Sequence, residues 1–129
     1  MLSFSTKGEY GLRAAVNLAQ SYPSIKSLKD ISVEEGISVK YLEQLFTNLR
    51  KNKVVKSFKG KDGGYVLARD PKEIPAGEVI EALEGEMLPK CHGTHCAHMK
   101  NCASSFVWIK LGEQIKKTLY GIKLSDLIK

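Results

Sequence analysis

All three cysteines and all three histidines of the chain fall within CHGTHCAHMKNC, the twelve positions from Cys91 to Cys102. Thiolates and imidazoles are soft to borderline ligands, and six of them in a short polar segment suit a metal centre or a redox reaction better than core packing. A reducing cytosol disfavours structural disulfides, which points to the same two uses. Cys91, Cys96 and Cys102, with His92, His95 and His98 among them, are candidates to bind a metal or to sense redox state. The rival chemistries are a tetrahedral zinc site and a pair of thiols that cross-link on oxidation. The Cys-x4-Cys-x5-Cys spacing lacks the paired Cys-x2-Cys or His-x3-His units of common zinc sites, which weighs against zinc. Nothing in the sequence sets a general acid or base beside these residues in a preformed pocket, so an enzyme is not expected.

Such a segment needs elements to hold it and something to act on. The chain, at 129 residues, is about one domain long. Its N-terminal stretch MLSFSTKGEY lacks the basic start and apolar run of a secretory signal, and no run approaches the roughly 20 apolar residues that cross a bilayer. A cytoplasmic protein without a membrane partner is expected. The net charge of +6 is concentrated in one place: residues 40–61 carry Lys40, Arg50, Lys51, Lys53, Lys56, Lys59 and Lys61 against Glu43 alone, and the rest of the chain balances. A confined basic patch is what a polyanion-binding face requires, because each neutralised phosphate releases condensed counterions.

Periodicity gives that patch a shape. Over residues 5–21, Ser5 or Thr6 caps a helix with Leu12, Ala15, Val16, Leu18 and Ala19 at helical spacing. Ser27 caps a short second helix, with Leu28, Ile31 and Val33 apolar and Gly36 as its stop. Ser38 caps a third, in which Leu42, Leu45, Phe46 and Leu49 define a buried face and Lys40, Glu43, Gln44 and Thr47 lie outside it. Two helices joined by a tight glycine-containing turn form the helix-turn-helix signature. Two β-runs, Val54 to Phe58 and Tyr65 to Ala68, flank KGKDGG, where Asp-Gly favours a tight hairpin turn. A basic hairpin in this position is a wing.

The expected fold is therefore mainly α with a small β wing: a winged helix-turn-helix DNA-binding domain over 1–85, a Cys/His cofactor loop over 86–102, and a dimerisation helix with a C-terminal tail over 103–129. In that last helix Trp108, Leu111, Ile115, Leu119 and Ile122 step by three or four residues, the seam of two helices packed along their length. Leu124, Leu127 and Ile128 are expected to pack across the same dimer. Ser38, Lys40, Tyr41 and Gln44 open the third helix toward the major groove, and Arg50, Lys56, Lys59 and Lys61 are expected on phosphates, with Gly63 and Gly64 letting the wing backbone approach. The expected partners are a double-stranded DNA operator and a second copy of the chain, since paired half-sites call for a two-fold axis.

STKGEYGLRAAVNLA, then YLEQLFTNLRKNKVVKSFKGKDGGYVLARDPKEI, then the cysteine trio resemble, in order and over nearly the whole chain, the IscR/NsrR-type winged-helix transcription regulators, also called the Rrf-two family. The resemblance implies a homodimer joined by a long crossing helix, with the cysteine loop near that interface. Members that keep three cysteines commonly bind an iron-sulfur cluster, 2Fe-2S or 4Fe-4S. They control genes for cluster assembly, nitric oxide response, iron supply or redox balance. By that resemblance this chain senses redox, nitric oxide or iron-sulfur status through Cys91, Cys96 and Cys102, the alternative being a zinc-bound or thiol-redox winged-helix regulator. Such a cluster needs four terminal ligands; in some members an acidic residue at the start of the first helix reaches across from the other subunit as the fourth, and Glu9 stands at the matching place, with His92, His95 and His98 as local competitors. Two departures mark this sequence. The first cysteine gap is one residue shorter than the commonest x5-x5 form, and Ser105 occupies the position where the cluster-assembly branch has a histidine.

Overall fold

The computed structural model describes residues 5–85 and 103–128. The expected ligands Cys91, Cys96, Cys102, His92, His95 and His98 lie outside the described residues.

Helix α1 (Thr6–Gln20) is built on small residues, with Gly8, Gly11, Ala14 and Ala15 on its buried side beside Leu18 and Ala19. That side lets α4 (Ala76–Glu84) come close: a Cβ on Gly11 would stand 2.0 Å from Leu83 Cδ1. Ser5 takes the N-cap position but puts it to a different use. Its hydroxyl accepts nothing from its own helix and donates to Glu84, and its backbone N–H donates to Glu84 Oε2 at 2.7 Å. The Glu84 carboxylate thus sits at the positive end of α1, where an anion is stabilised. The chain leaves α4 for the cysteine-bearing segment at that same point, through Gly85.

Helices α2 (Leu28–Glu35) and α3 (Val39–Lys51) follow their local signals. Ser27 Oγ accepts from the Asp30 N–H at 3.1 Å, Ser38 Oγ accepts from the Tyr41 N–H at 3.1 Å, and Gly36 closes α2 with φ 69°. All four expected apolar residues of α3 are buried. Val33 departs from expectation at 78 % exposed, because it lies two residues, about 200° of helix, from Ile31, which faces the core.

Strand β1 (Val55–Phe58) pairs antiparallel with β2 (Gly64–Leu67), Val55 opposite Leu67 and Phe58 opposite Gly64. The connection spans residues 59–63, within the KGKDGG stretch, and Gly60, with φ 110°, supplies the left-handed step. A third short segment joins the hairpin: the Lys26 N–H donates to Tyr65 O at 2.9 Å and the Tyr65 N–H to Lys26 O at 2.8 Å.

Helix α5 (Ala103–Tyr120) is anchored by its C-terminal end. The Tyr120 ring lies on Gly77, where a Cβ would stand 2.3 Å from ring Cδ2, and its hydroxyl donates to Glu81. Burial, followed by this bond to a carboxylate, pushes the Tyr120 hydroxyl up to about 12. The chain then turns back along the segment before α4, with the Ala76 N–H donating to Ile122 O at 2.7 Å and the Leu124 N–H to Ile74 O at 2.9 Å. Leu124, expected across a dimer, is instead fully buried in the core of its own chain, and Ile128 packs half-buried against that core. These two backbone bonds direct the tail inward; Leu127 stays 38 % exposed.

Candidate nucleic-acid interface

With Leu42, Leu45, Phe46 and Leu49 in the core, the opposite side of α3 is left to solvent. Ser38, Lys40, Glu43 and Gln44 are exposed. Ser38 uses one acceptor position to cap α3, and its O–H remains able to donate outward. Tyr41 is half-buried, its ring edge-on to Tyr10 at 6.1 Å, so it serves the rim of the core as well as the outer face. Arg50 and Lys51 end the helix, where cations complement the dipole. Lys53 adopts φ 61°, which lets the Val54 N–H reach Leu49 O at 2.9 Å and turns the chain into the wing. Lys56, Lys59 and Lys61 are all exposed on that wing. Among the described residues the ion pairs are Arg13–Glu35, Lys26–Glu34 and Arg69–Glu78, so Lys40, Arg50, Lys56, Lys59 and Lys61 carry no carboxylate partner there.

Gly64 has a reason within the fold to be glycine: a Cβ there would stand 2.3 Å from Lys26 O. At Gly63 a Cβ would stand 2.2 Å from Phe58 O. Both positions are set by close backbone approach inside the wing, independently of any contact with DNA.

The helix-turn-helix and the wing are held together by a polar network that sequence reasoning missed. Asn17, 4 % exposed, donates from Nδ2 to Glu34 Oε1 at 3.0 Å and to Glu35 Oε2 at 2.7 Å, and its Oδ1 accepts from Lys26 Nζ at 2.7 Å. Lys26 Nζ also pairs with Glu34 at 2.5 Å, and Arg13 donates to Glu35 O at 2.6 Å. The hydrogen bonds from Lys26, then Asn17, hold the Glu34 carboxyl below its ordinary range. One residue, Lys26, thereby ties α1 and α2 through its side chain and β2 through its backbone. The available signal was Asn17 itself, three residues past Ala14 on the buried side of α1.

Glu9 is exposed in the first turn of α1, and among the described residues no hydrogen bond or ion pair engages its carboxylate. It borders an open groove of about 310 Å³ formed with Leu12, Val16, Gln20 and Leu127. No group of three or more His, Cys, Asp or Glu side chains converges on a metal position among the described residues. Of the five residues expected along one helical seam, Trp108 and Leu111 are 58 % and 38 % exposed and Ile115 and Leu119 are half-buried on α5, while Ile122 lies past the helix end, in the tail that turns back onto Ala76. Phe106 and Val107, outside the three-four step and so missed, are 68 % and 56 % exposed.

A capped recognition helix, a tight turn before it and a basic hairpin after it define a winged helix-turn-helix DNA-binding protein. Comparison with known proteins narrows this further. The sequence profile of Rrf2, described as an iron-dependent transcriptional regulator, matches residues 4–129, and the chain belongs to that family. It is similar to the HTH-type transcriptional regulator IscR of Serratia proteamaculans, at 38 % identity over 98 % of this chain and 79 % of that one. Among solved structures it is similar to CymR, the global cysteine regulator of B. subtilis, with TM-score 0.81 and 37 % identity over 98 % of this chain and 96 % of that one. It is also similar to IscR of T. potens, with TM-score 0.79 and 40 % identity over 98 % and 85 %. The chain is a transcription regulator and not an enzyme, and no helix among the described residues is long and apolar enough to cross a membrane.

Proposed function

We propose that this chain acts in the cytoplasm as a homodimeric regulator that reads a two-half-site operator and answers to redox, nitric oxide or iron-sulfur status. The observation that carries the DNA reading is the set of exposed cations on α3 and the wing, without an ion pair among the described residues, beside Ser38 and Gln44 on the same recognition helix. Lys40 and Gln44 lie one helical turn apart, the spacing at which both side chains reach base edges in a major groove. Arg50, Lys56, Lys59 and Lys61 hold flanking phosphates. Exposed Phe106, Val107, Trp108 and Leu111 give α5 an apolar surface for a second copy, with Ile115 and Leu119 continuing the seam.

The donor set suits an iron-sulfur cluster. Cys91, Cys96 and Cys102 supply three thiolates, and Glu9, exposed in α1 and without a side-chain partner among the described residues, or one of His92, His95 and His98 supplies the fourth position. When bound, such a cluster supplies oxidant-sensitive, one-electron chemistry. The chain's own contribution is mechanical coupling. The cysteine segment starts at Gly85, next to Glu84, which holds Ser5 at the head of α1; α1 in turn packs on α4 and α3. Glu84 thus links the residues just before the cysteine segment to the helix that carries Glu9 and, through it, to the core beneath α3.

The test has two parts. Lys59→Ala should weaken binding to all duplexes and lower the salt slope by about one; an unchanged slope removes Lys59 from the interface. Anaerobically reconstituted protein should bind iron and sulfide, and lose both in Cys96→Ala. A colourless protein with stoichiometric zinc would overturn the cluster and leave the DNA reading in place.

A further inference from the structure

Phe58 ends β1 beside the tip of the wing, and its ring is 47 % exposed. The register explains why. Val55, its partner Leu67, and Tyr65 face the core, with Ser57 exposed at the edge of that face, so Lys56 and Phe58 alternate to the other face. On that outer face Val66 is covered, at 9 % exposed, but Phe58 stands opposite Gly64, which has no side chain to shield it. Nor can that position gain one, because a Cβ on Gly64 would meet Lys26 O at 2.3 Å. The fold thus keeps a half-exposed aromatic residue at the end of the hairpin.

Its surroundings select the partner. Lys56 shares its face, Lys59 follows it and Lys61 lies in the same turn, all exposed and without an ion pair among the described residues. An apolar protein surface placed on Phe58 would strip water from these ammonium groups and offer no countercharge. Duplex DNA offers both halves of the match: a rim of phosphates for the lysines and a stack of bases for the ring.

We propose that Phe58 enters the minor groove beside the recognition helix's major-groove site and wedges against a base step, partly unstacking it. The inference rests on the DNA-binding reading of α3 and the wing and adds to it a specificity-determining residue that makes no hydrogen bond. A wedge favours steps that unstack easily, so the operator carries a pyrimidine–purine step under the wing, read through deformability.

The experiment uses the full chain, apo and anaerobically reconstituted, and 40-bp duplexes that it enriches from a randomised pool. 2-Aminopurine placed at successive positions of an enriched duplex reports unstacking as a rise in fluorescence. The expected result is a rise confined to the wing-facing step. Phe58→Ala should abolish it, weaken binding about tenfold or more as loss of a base-stacking aromatic does, erase the preference for a flexible step, and leave the salt slope unchanged. Phe58→Thr, which keeps a strand-forming residue in β1, repeats the test if the alanine variant does not fold. A wild type that enriches duplexes and is matched within twofold by these variants, with the same step preference, overturns this inference alone. A wild type that enriches no duplex overturns the DNA reading and this inference together.

Discussion

Asn17→Ala removes three hydrogen bonds from a side chain that is almost entirely buried, each of them to a charged group. They do not count equally. Glu34 is half exposed and keeps Lys26 at 2.5 Å, so water and the lysine replace the lost amide there. Glu35 and Lys26 are less accessible, with side chains 23 % and 17 % exposed, and water replaces the amide only in part. A hydrogen bond to a charged group contributes about 1.5–3 kcal/mol, and partial rehydration brings each of these two to about 1 kcal/mol. The expected loss is about 2 kcal/mol, read in urea as a midpoint lower by about 1 M with an unchanged slope. Because Lys26 still holds Glu34 in the variant, wild type and Asn17→Ala should lose the Glu34 contribution together as pH falls, leaving the difference between them nearly constant. Glu34, held below its ordinary value, contributes stability that is present above that value and disappears as it takes up a proton. Asn17→Asp supplies the control: it keeps the acceptor for Lys26 but sets a third carboxylate against Glu34 and Glu35, so at neutral pH it should be less stable than alanine. A loss below about 0.5 kcal/mol for Asn17→Ala would refute the reasoning, since the network would then be worth no more than a surface ion pair.

Gly77→Ala drives a methyl group into the Tyr120 ring and should destabilise the protein by about 1–3 kcal/mol through overpacking, measured by thermal unfolding. Tyr120→Phe removes the donor to Glu81, and its pH profile is diagnostic. Because the wild-type hydroxyl is raised to about 12, its contribution is complete below the ordinary tyrosine value near 10 and is lost as pH climbs from there toward 12. Wild type and variant should therefore converge in stability over that window, and parallel curves would contradict the assignment. Lys53→Gly relieves a left-handed non-glycine residue at the end of α3 and should stabilise by up to about 1 kcal/mol, seen as a melting temperature raised by a few degrees with DNA affinity changed only by the lost charge.

What the sequence determined alone lies within single helices and the hairpin. Ser27 and Ser38 cap because the orphan N–H groups of a helix start are two or three residues from the cap. Leu42, Leu45, Phe46 and Leu49 are buried because one helical period puts them on one side. The concentration of charge on α3 and the wing was legible for the same reason: it is a property of neighbours along the chain. The hairpin connection within KGKDGG was legible too, and the structure brings Gly64 into β2 as the partner of Phe58. Tertiary structure alone decided the contacts between distant residues. Ser5 meets Glu84, Gly77 receives Tyr120, Leu124 enters the core beside Ile74, and Asn17 gathers Lys26, Glu34 and Glu35. No period or spacing encodes these pairs, because each depends on how two elements dock after both have formed. The exposure of Phe58 belongs to this second group: strand alternation sets its face, but only the docked position of Gly64 against Lys26 leaves its ring uncovered.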